Sequence, residues 1–260
     1  MYADTVDALV VSANKKANLL KDNPAGYFLA SMLAGLYVGF GIVLIFSLGA
    51  DLFQAHSPFL KVIMGASFGV ALSLVIFAGS ELFTGNAMTM AFGFLAKKSR
   101  ARDVLSVWVF SWLGNLAGSL SLAFVVVKSG ALNPALPFIA KIAAAKMSAS
   151  PLDLILKGIL CNTLVCLAVW TSTKTQGEAA KLILIWWCLF AFIGSGFEHS
   201  IANMTLLAMG LFGNPTDSAL SWGGYFYNLG WVTLGNTIAG VFVLALPYHQ
   251  ISRRKALKAA

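Results

Sequence analysis

Apolar runs separated by short polar stretches divide the chain into six segments, at about 25–50, 58–96, 104–129, 151–173, 181–213 and 223–249. A bilayer core about 30 Å thick is crossed by about 20 residues of helix at 1.5 Å rise, so each segment is long enough to span. Segments two and five exceed one crossing by more than tilt comfortably absorbs. Both are also interrupted by polar residues: Gly79-Ser80-Glu81-Leu82-Phe83-Thr84-Gly85-Asn86 in segment two and Gly196-Phe197-Glu198-His199-Ser200-Ile201-Ala202-Asn203 in segment five. A helix, an irregular loop and a second helix is the arrangement this predicts. Such loops exist at membrane depth only where they are buried in protein or line a cavity. An ionisable side chain there costs roughly 2.5–3.5 kcal/mol even on lenient insertion scales, so the breaks predict a permeation path.

The segments fall into two sets of three. Leu33-Ala34-Gly35 resembles Leu156-Lys157-Gly158, the Glu81 break resembles the Glu198 break, and Leu113-Gly114-Asn115 matches Leu234-Gly235-Asn236, at offsets of 123, 117 and 121 residues. Three crossings per copy is an odd number, so the second copy runs in the opposite sense, as in transporters built from inverted repeats. The expected fold is an all-α membrane protein, a single transmembrane domain over 1–260. Its parts are an N-terminal amphipathic helix (1–24), a first repeat (25–129) and a second repeat (151–250). Val6, Leu9, Val10, Ala13, Ala17 and Leu20 recur at helical spacing near Lys15, Lys16 and Lys21, which predicts a helix lying at the inner surface. Gly35/Gly39, Gly65/Gly69 and Gly114/Gly118 are small-xxx-small pairs suited to close helix packing.

Composition agrees: 58% of residues are hydrophobic and 11% charged, against about 25% charged in soluble domains. The net charge of +8 does not point to nucleic acid, because of where it lies. Lys97, Lys98, Arg100 and Arg102 fill one loop and Arg253, Arg254, Lys255 and Lys258 fill the tail, while the connection between segments five and six has no Lys or Arg. That asymmetry places both termini in the cytoplasm by the positive-inside rule and makes the basic tail a topology and anionic-lipid signal. The first apolar run is too long for a cleavable signal core. Cys161, Cys166 and Cys188 make no Cys-x-x-Cys pair, so neither a disulfide framework, a metal site nor a cofactor is expected.

Few residues remain to carry chemistry. Histidine can change charge near neutral pH, so His199 is either a buried structural partner of Glu198 or a candidate proton relay for a passing weak acid. Asn203, four residues on, shares its face and offers a donor to an anion. Thr84 in the matching break offers a hydroxyl beside Gly85, while Glu81 is expected to cap loop amides and Glu198 to orient its own loop. Lys157 lies about 9 Å into segment four, where it either snorkels outward, pairs with Asp153 or makes an outer vestibule positive. Asn115, Asn162 and Asn236 are expected to hydrogen-bond between helices. Phe68, Leu72, Leu82 and Phe192 are either ordinary lipid- or core-facing residues or candidate apolar constrictions. An intramembrane hydrolytic or redox enzyme would need a nucleophile with its base, or several metal ligands. His56 and His249 lie away from the breaks, and the paired Asn-Pro-Ala breaks of water channels are absent.

GSELFTGN at 79–86, LKGILCN at 156–162, GFEHSIANM at 196–204 and the paired LGN motifs together resemble the formate/nitrite transporter family over essentially the whole chain. The stretch 185–206 is most similar to its nitrite-channel branch. The resemblance implies an aquaporin-like fold, a homopentamer with one pore per protomer in the bacterial cytoplasmic (inner) membrane, and passage of small monovalent weak-acid anions with protons. It implies that Thr84 lies in the loop breaking segment two, that His199 and Asn203 line the centre, that Phe68, Leu72, Leu82 and Phe192 are the constrictions, and that Lys157 makes the path electropositive. Formate or hydrosulfide is the alternative cargo.

Overall fold

The computed structural model describes residues 2–213 and 218–252; the basic tail read above as a topology signal lies outside them. The described residues form helices joined by short turns, with no strand among them. Five helices are long and apolar enough to cross a membrane: Pro24–Gln54, Leu60–Gly79, Ala101–Lys128, Pro151–Lys174 and Trp222–Ser252.

Helix α1 (Ala3–Asp22) is amphipathic as its spacing predicts, but its apolar face is docked on protein. Val6, Leu9 and Val10 pack with Met88 and Phe92 of α5 (Phe83–Leu95), and Ala13 and Leu20 with Met90. Helix α2 (Pro24–Gln54) starts where Asn23 accepts a hydrogen bond from the Gly26 N–H, with proline in the first turn, a combination that satisfies an otherwise orphaned donor. Helices α3 (Leu60–Ser67) and α4 (Gly69–Leu74) run into a π-helical turn ending at Gly79, where the chain breaks before α5. Helix α6 (Ala101–Lys128) lies along α2 so closely that a side chain on Gly118 would strike the Met32 carbonyl.

Between α6 and α8 (Pro151–Lys174), where the apolar pattern predicts only a connection, a further helix forms, α7 (Leu136–Met147). It buries Phe138, Ile139, Ala143 and Met147 and carries Lys146 in its last turn. Helix α9 (Glu178–Gly194) stops at a second break, followed by α10 (Ser200–Gly213). Helix α11 (Trp222–Ile238) passes through a second π turn into α12 (Leu246–Ser252).

The short helices after the breaks are the most enclosed. Every residue of α5 from Phe83 to Gly93 and of α10 from Ser200 to Gly210 is buried, as expected of helices apolar on all sides. Outward-facing Leu29, Phe40, Phe110, Phe124, Leu160 and Phe242 leave the bundle's perimeter apolar, which in water would be an aggregation surface and in a bilayer is the surface that contacts lipid or another subunit.

Candidate permeation site

Each break is set by a glycine and braced by an asparagine. Gly79 (φ +78°) and Gly196 (φ +73°) hold left-handed backbone, which costs a residue with a Cβ roughly 1–2 kcal/mol. Neither has a neighbour within 4 Å of where a Cβ would stand, so conformation rather than space selects glycine. At the first break, Asn115 Nδ2 donates to the carbonyls of Ser31 (2.7 Å) and Glu81 (2.9 Å), its Oδ1 accepts from Phe83 N (2.9 Å), and Glu81 N donates to Ala30 O (3.2 Å). At the second, Asn236 Nδ2 donates to Gly158 (2.8 Å) and Glu198 (3.0 Å), its Oδ1 accepts from Ser200 N (2.9 Å), and Glu198 N donates to Lys157 O (3.3 Å). The same four bonds recur in both halves. Buried backbone polar groups freed by a break must find partners, and one carboxamide offers donors and an acceptor at once. Asn162 ties the halves together, donating to Thr84 O (3.2 Å) and Asn236 O (2.6 Å).

The two glutamates are matched as well, but they do not cap loop amides. Glu81 Oε2 accepts from Lys16 Nζ (2.7 Å), Tyr27 Oη (3.0 Å) and Asn86 Nδ2 (3.0 Å). Glu198 Oε1 accepts from Lys146 Nζ (2.6 Å) and Oε2 from Asn203 Nδ2 (2.6 Å). Asn86 and Asn203 thus stand five residues after their glutamates and bond back to them. Lys16 comes from α1 and Lys146 from α7, so each break receives a cation from a helix outside the five long apolar ones. Nothing in the local pattern marks these two lysines.

Two cavities approach one another between these braces. One, of about 470 Å³, is lined by Lys16, Glu81, Leu72, Leu82 and Asn86. The other, of about 420 Å³, is lined by Lys61, Lys146, Lys157, Phe192, Glu198 and His199. Between them Phe68, Leu72, Leu82, Phe192 and His199 enclose only about 10 Å³, at the lower limit of space for one water. Phe68 and Phe192 meet edge to face with ring centres 5.5 Å apart, and Phe192 lies parallel to the His199 ring at 5.8 Å. All four residues expected at the constrictions therefore line one neck.

His199 sits just ahead of α10 and its ring is held at both nitrogens. Nδ1 accepts from Ala202 N (3.1 Å), and Nε2 lies 3.2 Å from Thr84 Oγ1. A nitrogen that accepts a backbone N–H carries no hydrogen itself, so Nε2 bears the ring's proton and points it at Thr84. Thr84 lies in the first turn of α5 rather than in the loop, because the Asn115 brace lets the helix restart at Phe83. Gly85 is likewise helical, and the backbone freedom belongs to Gly79 and Gly196. Asn203 shares the buried surroundings of His199, but both of its amide hydrogens are used, on Glu198 and on Asn228 Oδ1 (2.9 Å). Lys157 is exposed on the rim of the second cavity. Among the described residues ion pairs join Lys16 to Glu81 and Lys146 to Glu198, and none joins Lys157 to Asp153.

The profile of the family described as "Formate/nitrite transporter" matches residues 3–250. The "Nitrite transporter NirC" of Escherichia coli (strain K12) is 46% identical over 250 residues, covering 95% of this chain and 91% of the relative. The "Formate channel BtFdhC" of Bacillus thuringiensis is 32% identical over 83% of each chain. Among solved structures, an "FNT family ion channel" superposes with a TM-score of 0.91 at 43% identity, covering 96% of this chain and 99% of the other. A "Pentameric formate channel with formate bound" gives 0.79 at 25% identity, covering 89% and 98%.

Proposed function

Because this chain belongs to the formate/nitrite transporter family, a family of transporters and not of enzymes, we propose that it carries nitrite and similar small weak-acid anions across the bacterial cytoplasmic membrane. The observation that carries this reading is the pair of cavities meeting at an apolar neck whose one titratable wall is His199. The identity to nitrite transporters favours nitrite as cargo.

The second cavity sets three lysines, Lys61, Lys146 and Lys157, against one glutamate. Lys146 is paired, which leaves Lys61 and Lys157 to make the entrance positive and to concentrate anions. The neck then opposes a charged species, since taking an ion out of water costs several kcal/mol. A proton acquired near His199 removes that cost, and the neutral acid crosses Phe68, Leu72, Leu82 and Phe192. Nε2–H donates to the passing species in place of Thr84. Relay through the ring itself needs Nδ1, so Ala202 N–H must first release it. The neck's small volume means that its side chains part as cargo passes.

The architecture we infer is six crossings in two inverted repeats, with the second and fifth broken. The matched asparagine braces and glutamate partners support it, and they enlarge each repeat by a leading short helix, α1 in the first and α7 in the second. Both termini lie in the cytoplasm on the positive-inside pattern. We infer a homopentamer with one path per protomer, the assembly named for the pentameric formate channel.

The test is nitrite-driven flux into proteoliposomes containing a trapped pH dye, with formate in parallel. Nitrite flux above formate, with internal acidification, supports the reading. Flux without acidification removes the proton step, and no flux of either anion through folded protein overturns the function.

A further inference from the structure

A further cavity lies outside the proposed permeation path. It measures about 530 Å³ and opens between α1 and the start of α6, lined by Lys21, Lys98, Arg100 and Arg102 together with Asn14 and Asn18. One carboxylate, Asp103, faces these four cations, and its Oδ2 is occupied by the Arg100 N–H at 2.8 Å. Among the described residues none of the four cations is in an ion pair. Four like charges around one concave space focus a positive potential there and raise the local concentration of anions.

The turn that carries Lys98 and Arg100 and leads into Arg102 of α6 is built, not loose. Lys97 takes left-handed backbone (φ +58°), Lys98 N and Ser99 N both donate to Gly93 O (2.9 and 3.0 Å), and Ser99 is buried against α1. The cations therefore project from a fixed frame, with arginine present where a planar fork matches phosphate oxygens.

We propose that this cleft binds a phosphate group, supplied by an anionic phospholipid headgroup or by a soluble phosphate, and that its occupant fastens α1 to α6. Helix α1 divides the cleft from the permeation path: Lys16 reaches Glu81 on one side, and Asn14, Asn18 and Lys21 face the cleft on the other. The placement on the cytoplasmic side rests on the orientation proposed above, but binding itself does not depend on what the pore carries.

The experiment is thermal unfolding of the purified full-length protein in detergent, titrated with phosphatidylglycerol, phosphatidylcholine or inorganic phosphate. Phosphatidylglycerol is expected to raise the unfolding temperature where phosphatidylcholine does not. Lys98→Gln/Arg102→Gln removes two cations worth about 1 kcal/mol each toward an anionic headgroup, so half-saturation moves to about 30-fold higher ligand. Lys15→Gln/Lys97→Gln, with the same charge change outside the cleft, stays within about twofold. Lys21→Gln, clear of the 97–102 turn, gives about a fivefold shift and serves if the double variant does not fold. Stabilisation by inorganic phosphate alone, lost in the cleft variants, identifies a soluble ligand of the same chemistry. Equal shifts in cleft and control variants, or no stabilisation by either phosphate source, overturn the proposal.

Discussion

Replacing Lys146 by methionine tests whether α7 braces the second break. The Lys146 Nζ–Glu198 Oε1 pair is 2.6 Å long, and its side chains are 19% and 7% exposed. At that distance and an effective dielectric near 20, the gross attraction is about 6 kcal/mol. Desolvation of two ions cancels much of it. What the substitution exposes is the other half of the balance, a buried carboxylate left with Asn203 alone. Breaking a buried pair from one side typically costs about 3–5 kcal/mol, and the surviving Asn203 bond puts Lys146→Met near 3. For a chain of this size about 3 kcal/mol lowers the unfolding midpoint by roughly 6–12 °C. Glu198→Gln keeps an acceptor for Asn203 and leaves a lysine that can turn to water, so about 1–2 kcal/mol is expected. Thermal unfolding of both single variants and the double Lys146→Met/Glu198→Gln in one detergent closes the cycle. The double variant should be more stable than the sum of the singles by at least about 1.5 kcal/mol. Additive effects, or a Lys146→Met midpoint equal to the wild type, would refute the brace.

His199→Phe should abolish nitrite-dependent acidification in proteoliposomes while leaving the protein folded, since phenylalanine keeps the stack on Phe192; unchanged acidification would exclude a proton step at this residue. Lys157→Met should raise the nitrite concentration at half-maximal flux about fivefold, the equivalent of about 1 kcal/mol, without changing the unfolding midpoint; identical flux curves would remove Lys157 from the entrance. Asn236→Ala strips partners from Gly158 O, Glu198 O and Ser200 N. At about 1–3 kcal/mol for each buried group left unsatisfied, it should yield little folded protein by size-exclusion chromatography. Gly196→Ala should lower stability by about 1–2 kcal/mol through its positive φ, with Gly196→Asn closer to wild type, as read by the unfolding midpoint.

Much of the proposed path was legible in the sequence. A run of about 20 apolar residues has one stable home, and a charge inside it has few, so Glu81, Glu198 and His199 announced the breaks from local sequence. Phe68, Leu72, Leu82 and Phe192 were singled out through the family resemblance, because an apolar residue in a membrane span otherwise reads the same whether it faces lipid, core or a neck. The LGN repeats pointed to Asn115 and Asn236, although not to the four bonds that each break shares with its counterpart.

What only the tertiary structure decided are the partners. Lys16 reaches a residue 65 positions away and Lys146 one 52 positions away; helix crossings, not periodicity, bring those ends together. The role of α7 was hidden because a short helix bearing alanines and lysines reads the same as a polar connection until Glu198 is placed beside it. Asn203 looked free because its spacing to His199 is visible in sequence, whereas its bonds to Glu198 and Asn228 are not. The Ala202 N–H on Nδ1 is a backbone contact that no residue type reports, yet it selects which nitrogen of His199 faces Thr84. Hydrophobicity and chain length place the helices, because the bilayer acts on each residue separately. The pairing of polar groups inside depends on distances between helices, and those exist only once the bundle has formed.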